Sequence, residues 1–119
     1  MIVKCKILSK DFLIYEKIKD FIKVTPFFLL EEGMNDDSEE QIIFWDVDTI
    51  NINIYSIENK IARGCLIFMI SSLNSKEIIF QMLEKEFSSK VGFLRKNILY
   101  SHFVEEVSFL IDNKVPDTS

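Results

Sequence analysis

The sequence feature that most restricts the fold is a short run of large apolar residues, Ile42 to Trp45, that ends directly in an acid, Asp46. A continuous apolar run of this length with a polar stop is typical of a strand buried on both faces of a sheet. In an open parallel sheet, reacting groups lie just beyond the carboxyl ends of the strands. We therefore predict that Asp46 lies at a sheet edge with its carboxylate facing a crevice. A simpler role, capping the turn that follows, stays open.

Length and composition are those of one globular domain. The chain has 119 residues, a length that is enough for one domain with its own core and too short for two. Of these residues 48% are hydrophobic, a share within the usual range for a globular domain. A net charge of −5 argues against nucleic-acid binding by this chain. No apolar run approaches a membrane span and no signal peptide is recognisable, so we expect a cytoplasmic protein without membrane contact. Cys5 and Cys65 lie in apolar runs and are predicted to be buried free thiols.

Hydrophobic periodicity predicts strands that alternate with amphipathic helices. One helical stripe runs from Phe12 to Ile22 and stops before Pro26, because the residue before a proline is disfavoured in helical geometry. A second helix is predicted from about Asn74 to Phe87 and a last one from Leu99 to Ile111. The predicted strands are Val3–Leu8, Phe27–Leu30, Ile42–Asp46, Cys65–Ile70 and Val91–Arg95.

Two connecting segments are harder to interpret. The segment Thr49–Ala62 alternates like a strand from Ile50 to Ile54, yet its isoleucines also line one face of a helix. The strand and helix alternation on either side favours a helix. The acidic segment Glu31–Gln41 has almost no apolar face and is predicted to be a loop with at most one helical turn.

This order of elements predicts a doubly wound α/β fold. Strands that alternate with helices give a parallel sheet covered on both faces. Five strands in this length indicate a flavodoxin-like sheet of order 2-1-3-4-5. The helix between the second and third strands is expected to be short or absent. Residues 1–114 form the predicted domain, and 115–119 resemble the start of a linker or tail.

Polar residues follow the ends of four predicted strands. They are Ser9 and Lys10 after the first strand, Asp46 at the end of the third, Ser71 after the fourth and Lys96 after the fifth. With these residues in this order, the chain resembles, over roughly residues 2–113, the receiver domain of bacterial two-component response regulators.

The resemblance implies a role for each matching residue. Asp46 matches the phospho-accepting aspartate, Ser71 the hydroxyl that relays the signal, and Lys96 the lysine that neutralises the transferring group. Phe93, three residues before that lysine, matches the aromatic residue that moves in the switch. In the family, the aspartate accepts a phosphoryl group from a phosphohistidine with help from a divalent cation, which requires oxygen ligands.

The cation site is where this chain departs from the family. Two adjacent acids normally end the first strand, and here they correspond to Ser9 and Lys10. We predict that Lys10 occupies the space of the cation and pairs with Asp46, with Lys96 as a second candidate, because opposite charges within about 4–6 Å stabilise each other. Asp48 is either a residual ligand of this degenerate metal pocket or a turn residue. We expect no bound metal and no cofactor.

These expectations give a function and an alternative. The first is an atypical pseudo-receiver, not an enzyme, that acts as a signalling and dimerisation module and regulates transcription through an output domain outside this chain. The alternative is a working phospho-acceptor that catalyses phosphoryl transfer to Asp46 with Mg²⁺ at an altered cation site.

The predicted partners also follow from the resemblance. We expect a homodimer through the face formed by the helix before strand five, strand five itself and the final helix. A cognate histidine kinase is a further expected partner, with DNA reached only through the output domain. A flavin- or nucleotide-binding module is disfavoured, because no glycine-rich phosphate loop is present. With His102 as the single histidine, no Ser-His-Asp triad is credible.

Overall fold

The computed structural model describes residues 2–32, 40–72 and 89–114. Within these ranges the chain forms five strands and three helices. The strands are β1 (Val3–Leu8), β2 (Phe28–Leu30), β3 (Ile42–Asp46), β4 (Leu66–Ser71) and β5 (Val91–Arg95). The helices are α1 (Phe12–Val24), α2 (Ile54–Ala62) and α3 (Tyr100–Lys114).

The sheet has the predicted topology. All its strands are parallel and lie in the order β2-β1-β3-β4-β5. This confirms the flavodoxin-like sheet. In the register of β1 and β3, Ile7 lies beside Phe44 and Leu8 beside Trp45. Neighbouring residues in a parallel pair present their side chains to the same face, and successive residues alternate between faces.

The core consists of two apolar layers, one on each face of the sheet. On one face, α1 and α3 cover a layer that contains Phe44, Phe68 and Phe103, all fully buried. On the other face, Ile57 and Ile61 of α2 pack against the central strands. The predicted helices on both faces are thereby confirmed. The burial of β3 and β4 explains why both strands are apolar up to their last residues, Asp46 and Ser71.

Some element boundaries differ from the prediction. β2 begins at Phe28 because Phe27 lies in a turn with a φ of 70°, closed by the Phe28 N–H to the Thr25 carbonyl oxygen at 3.3 Å. The helix predicted over Thr49–Ala62 is present but begins only at Ile54, because the Asn53 side chain caps it by accepting from the Tyr55 N–H.

The end of α2 has a well-defined cap. The Gly64 N–H donates to the Ile61 carbonyl oxygen at 2.9 Å, and the Cys65 N–H donates to the Lys60 carbonyl oxygen at 3.1 Å. Gly64 has a φ of 102°, the left-handed conformation that this motif requires and that glycine adopts without a steric penalty. The cap therefore directs the chain straight from α2 into β4.

Several predictions fall outside the described residues. They are the helix from about 74 to 87, the central part of the acidic loop at 33–39 and the tail at 115–119. In the described part of the chain, both cysteines are buried thiols outside any disulfide, as predicted. No helix in those ranges combines the length and apolar character needed to cross a membrane.

Candidate functional site

Asp46 is the centre of a polar cluster at the carboxyl ends of the strands. It is the last residue of β3, and none of its surface is exposed. Its Oδ2 accepts a hydrogen bond from Ser9 Oγ at 2.7 Å. Its Oδ1 accepts from the Asp48 N–H at 3.1 Å and lies 3.3 Å from Lys96 Nζ. A buried charge needs such partners, because each lost hydration contact must be replaced.

The sheet register explains why Ser9 reaches Asp46. Leu8, the last residue of β1, lies beside Trp45, so Ser9 leaves the strand next to Asp46, the last residue of β3. The short Ser9 hydroxyl reaches the carboxylate directly. Lys10 is one position further along and is exposed.

Lys96 bridges two carboxylates. Its Nζ lies 3.3 Å from Asp46 Oδ1 and 3.2 Å from Asp48 Oδ2, and one fifth of its side chain is exposed. Burial lowers the pKa of Lys96, but the hydrogen bonds and charges of Asp48 and Asp46 outweigh burial and raise it overall. The backbone after β5 is held in turn by Lys17, whose Nζ donates to the Lys96 carbonyl oxygen at 2.7 Å.

Asp48 collects donors from the end of β4. Its Oδ1 accepts from Ser71 Oγ at 3.1 Å, and its Oδ2 accepts from both the N–H and the Oγ of Ser72 at 3.0 Å. The Ser72 N–H is the largest cause that lowers the pKa of Asp48 to about 2. Partial burial opposes it, and the Lys96, Ser72 and Ser71 side chains add to the lowering. Asp48 therefore lies in the turn after β3, as predicted, and its carboxylate also pairs with Lys96.

The structure corrects the prediction for Lys10. Lys96 pairs with Asp46 as expected, but Lys10 is exposed and forms no ion pair with any residue that the structure describes. Its backbone N–H donates instead to Thr49 Oγ1 at 2.9 Å. The physical reason is that β1 ends at Leu8, so Ser9 meets the Asp46 carboxylate while the Lys10 backbone, one position further, is held by Thr49.

One further expectation differs from the structure. The Asp46 carboxylate does not face an open crevice, because Ser9, Lys96 and the Asp48 N–H contact it and none of the residue is exposed. Ser71, the matching hydroxyl residue, is 8% exposed, and its Oγ donates to Asp48 Oδ1 at 3.1 Å. Phe93, the matching aromatic residue, is partly buried on the α2 face of the sheet. Across the described ranges, no group of three or more His, Cys, Asp or Glu side chains is arranged to hold a metal ion.

Sequence reasoning did not assign two residues of the cluster. Ser72 supplies two of the hydrogen bonds to Asp48, and Thr49 holds the backbone of Lys10. Both are small hydroxyl residues just after a strand that ends at this edge, the same signal that identified Ser71. Their partners depend on how the turns fold, which local sequence does not specify.

Comparisons with known proteins add no family to this description. No protein-family model matches the chain, and no curated protein matches it in sequence. The resemblance to receiver domains therefore stays a prediction from the sequence.

Proposed function

We propose that this chain is a pseudo-receiver: a signalling and dimerisation module in which the phospho-acceptor position, Asp46, works without phosphorylation. In this proposal it is cytoplasmic and regulates transcription through an output domain outside this chain. A receiver-like sheet with an acid, a hydroxyl and a lysine at the matching strand ends supports the assignment. It is neither an enzyme nor dependent on a bound cation.

One observation supports independence from phosphorylation most directly: Asp46 is buried and its carboxylate is already bound by other groups of the chain. Both carboxylate oxygens have partners, and none of the residue is exposed. A nucleophilic carboxylate needs a free oxygen and a path for the phosphoryl donor. Lys96 also supplies positive charge between two acids, the place where a divalent cation would otherwise balance them.

The dimer belongs to the same proposal. On the described part of the predicted face, Arg95, Glu105 and Glu106 are exposed, and Phe109 is 65% exposed, so this face offers both charge and apolar surface. The helix predicted before β5, which carries Glu77, Gln81, Glu84 and Lys85 on this face, lies outside the described residues. A histidine kinase remains a partner only under the alternative, in which Asp46 is phosphorylated.

Fluorescence of the single tryptophan tests the proposal. Trp45 adjoins Asp46, is 7% exposed, and its Nε1 donates to the Ile50 carbonyl oxygen at 2.7 Å. The Trp45 ring packs on the α2 face of the sheet, but the turn that it binds at Ile50 also donates the Ile50 and Asp48 N–H groups to Asp46. A group added to Asp46 would therefore change the surroundings of Trp45 through this turn. We expect a flat response when Mg²⁺ and then beryllofluoride, a phosphoryl analogue, are titrated into the wild-type protein. Saturable quenching by Mg²⁺ with a further shift on beryllofluoride would instead establish Asp46 as a working acceptor.

A paired set of variants provides the positive control. Ser9→Asp with Lys10→Asp restores the acids expected in a cation site, and we expect this variant to gain saturable Mg²⁺ quenching. Lys10→Asp alone is the matched control, because Lys10 is exposed and does not contact Asp46. The single variant should remain silent. Equal responses from both variants would contradict the register that places Ser9 beside Asp46.

A further inference from the structure

The Asp48 carboxylate lies in a set of donors that resembles a binding site for a small anion. Two hydroxyls, one backbone N–H and one ammonium, from Ser71, Ser72 and Lys96, approach it at 3.0–3.2 Å. Such a combination of neutral donors and one cation is the usual means by which proteins bind carboxylate and phosphate groups. The occupant here is a side chain of the chain itself.

The donors and the occupant come from different strand ends. Asp48 lies in the turn after β3, while Ser71 and Ser72 lie at the end of β4 and Lys96 follows β5. The carboxylate therefore ties three neighbouring strands together at one edge of the sheet. One quarter of the Asp48 side chain is exposed, so a solute can reach this position once the carboxylate is removed.

The same ammonium serves both acids. Lys96 Nζ lies within 3.3 Å of one oxygen of Asp46 and one of Asp48. An anionic group attached to Asp46 would therefore compete with Asp48 for Lys96. Asp48 thus provides a constant negative charge beside Lys96, whereas a modification of Asp46 would provide one only while it is attached.

We infer that Ser71, Ser72 and Lys96 form an oxyanion pocket for a small carboxylate or phosphate, and that Asp48 fills it from within as a built-in ligand. This holds the end of β4 in one arrangement without any modification. The inference rests on the proposed function, since it explains how the module keeps a fixed signalling surface when Asp46 is not phosphorylated.

Amide hydrogen exchange at Ser72, measured by NMR, tests the pocket. In Asp48→Ala, the Ser72 N–H loses its charged acceptor, and we expect its exchange to accelerate about tenfold or more. Sodium acetate, which replaces the missing carboxylate with one of equal charge, should restore the protection saturably. Sodium chloride at the same ionic strength should not. Asp112→Ala, at an exposed position of α3, is the matched control and should leave the exchange rate of the Ser72 N–H unchanged.

Asp48→Asn keeps the experiment decisive if the alanine variant does not fold. The asparagine amide fills the same space, but its NH₂ group faces the hydrogen-bond donors that the carboxylate accepted from. Exchange of the Ser72 N–H should therefore accelerate. Acetate should have no effect, because the space is occupied. The inference is overturned if exchange at Ser72 is unchanged in the folded variants, if it accelerates equally throughout β3 and β4, or if acetate acts no better than chloride on Asp48→Ala.

The result is separable from that for the proposed function. A wild-type response to beryllofluoride would reject independence from phosphorylation, while a local loss of Ser72 protection in Asp48→Ala would still establish the pocket. A silent wild type with unchanged Ser72 exchange in the variants would reject the pocket alone.

Discussion

A methyl group added at Gly92 would collide with the core of the protein. It lies beside Phe68 in the sheet, and a Cβ at this position would lie 2.5 Å from Phe68 Cε1 and 2.7 Å from Cδ1. The Phe68 ring is fully buried and stacks on Phe44 with ring centroids 5.5 Å apart. The ring therefore has little room to move, since protein interiors are close-packed.

We expect Gly92→Ala to lower the free energy of unfolding by about 1–3 kcal/mol, the usual cost of overpacking a core. Urea denaturation followed by fluorescence measures the change. In a double-mutant cycle, combining it with Phe68→Leu should cost less than the two single changes added together, because the smaller side chain removes the clash. An alanine variant as stable as the wild type would contradict the close approach.

Cys5 is a residue whose chemistry is suppressed by its position. It is fully buried in β1, and burial raises the pKa of its thiol to about 12. Cys65 is 7% exposed, and its Sγ donates to the Glu40 carbonyl oxygen at 2.8 Å. Since the thiolate is the reactive form, we expect neither thiol to react with Ellman's reagent until the protein unfolds. Ser101→Cys, at an exposed site on α3, is the positive control. Rapid modification of the native wild type would contradict this prediction.

At the scale of the element, α1 depends on a cap that also serves the site. Asp11 Oδ1 accepts from the Leu13 N–H at 3.0 Å and the Ile14 N–H at 3.4 Å, and the Asp11 N–H donates to Ser9 Oγ at 3.1 Å. The start of the helix is thereby connected to the hydroxyl that binds Asp46.

Asp11→Ala should lower the free energy of unfolding by about 1 kcal/mol, because two N–H groups of the first turn lose their acceptor. Asp11→Asn retains an acceptor oxygen and should cost less, the remainder being the interaction of the charge with the helix dipole. Thermal and urea unfolding of the two variants give the comparison. Equal stability of alanine, asparagine and wild type would show that the cap does not contribute.

At the scale of the whole molecule, the cluster around Lys96 predicts a stability profile with pH. The pKa of Asp48 is lowered from 3.8 to about 2, chiefly by the Ser72 N–H. A lowered pKa means that this stabilisation is present above the unfolded value and is lost as the pH falls from about 4 to about 2. The raised pKa of Lys96 acts in the opposite direction, so its contribution is lost only as the pH rises beyond its ordinary value of 10.5.

Asp48→Asn should therefore flatten the acid limb of the stability profile. In the wild type, protonation of Asp48 should lower the free energy of unfolding by about 1 kcal/mol, after allowance for the screening of a partly exposed carboxylate, and the asparagine variant should lack this decrease. Urea midpoints measured between pH 2 and pH 7 compare the variant with the wild type. Asp112→Asn on the surface of α3 is the control. If the wild type and Asp48→Asn lost stability identically at low pH, the charge of Asp48 would not contribute to the stability of the cluster.

The sequence by itself determined the order and type of most of the elements that the structure describes. The apolar run before Asp46, the stripe from Phe12 to Ile22 and the uniformly apolar strand before Ser71 were sufficient, because hydrophobic period and turn residues act locally. From that order followed the strand order 2-1-3-4-5 and helices on both faces. The meeting of Asp46 and Lys96 at one sheet edge was predictable for the same reason, since the carboxyl ends of parallel strands coincide.

Only the tertiary structure decided which side chains bind one another within that edge. The pairing of β1 with β3 brings Ser9, just after β1, to Asp46, while Lys10, one position further, is exposed. The turn after β3 turns Asp48 toward Ser71 and Ser72, while Lys96 lies between both acids. These contacts join residues 23 to 50 positions apart in the chain. Local propensity carries no information about them, because they form only when the strands are already paired.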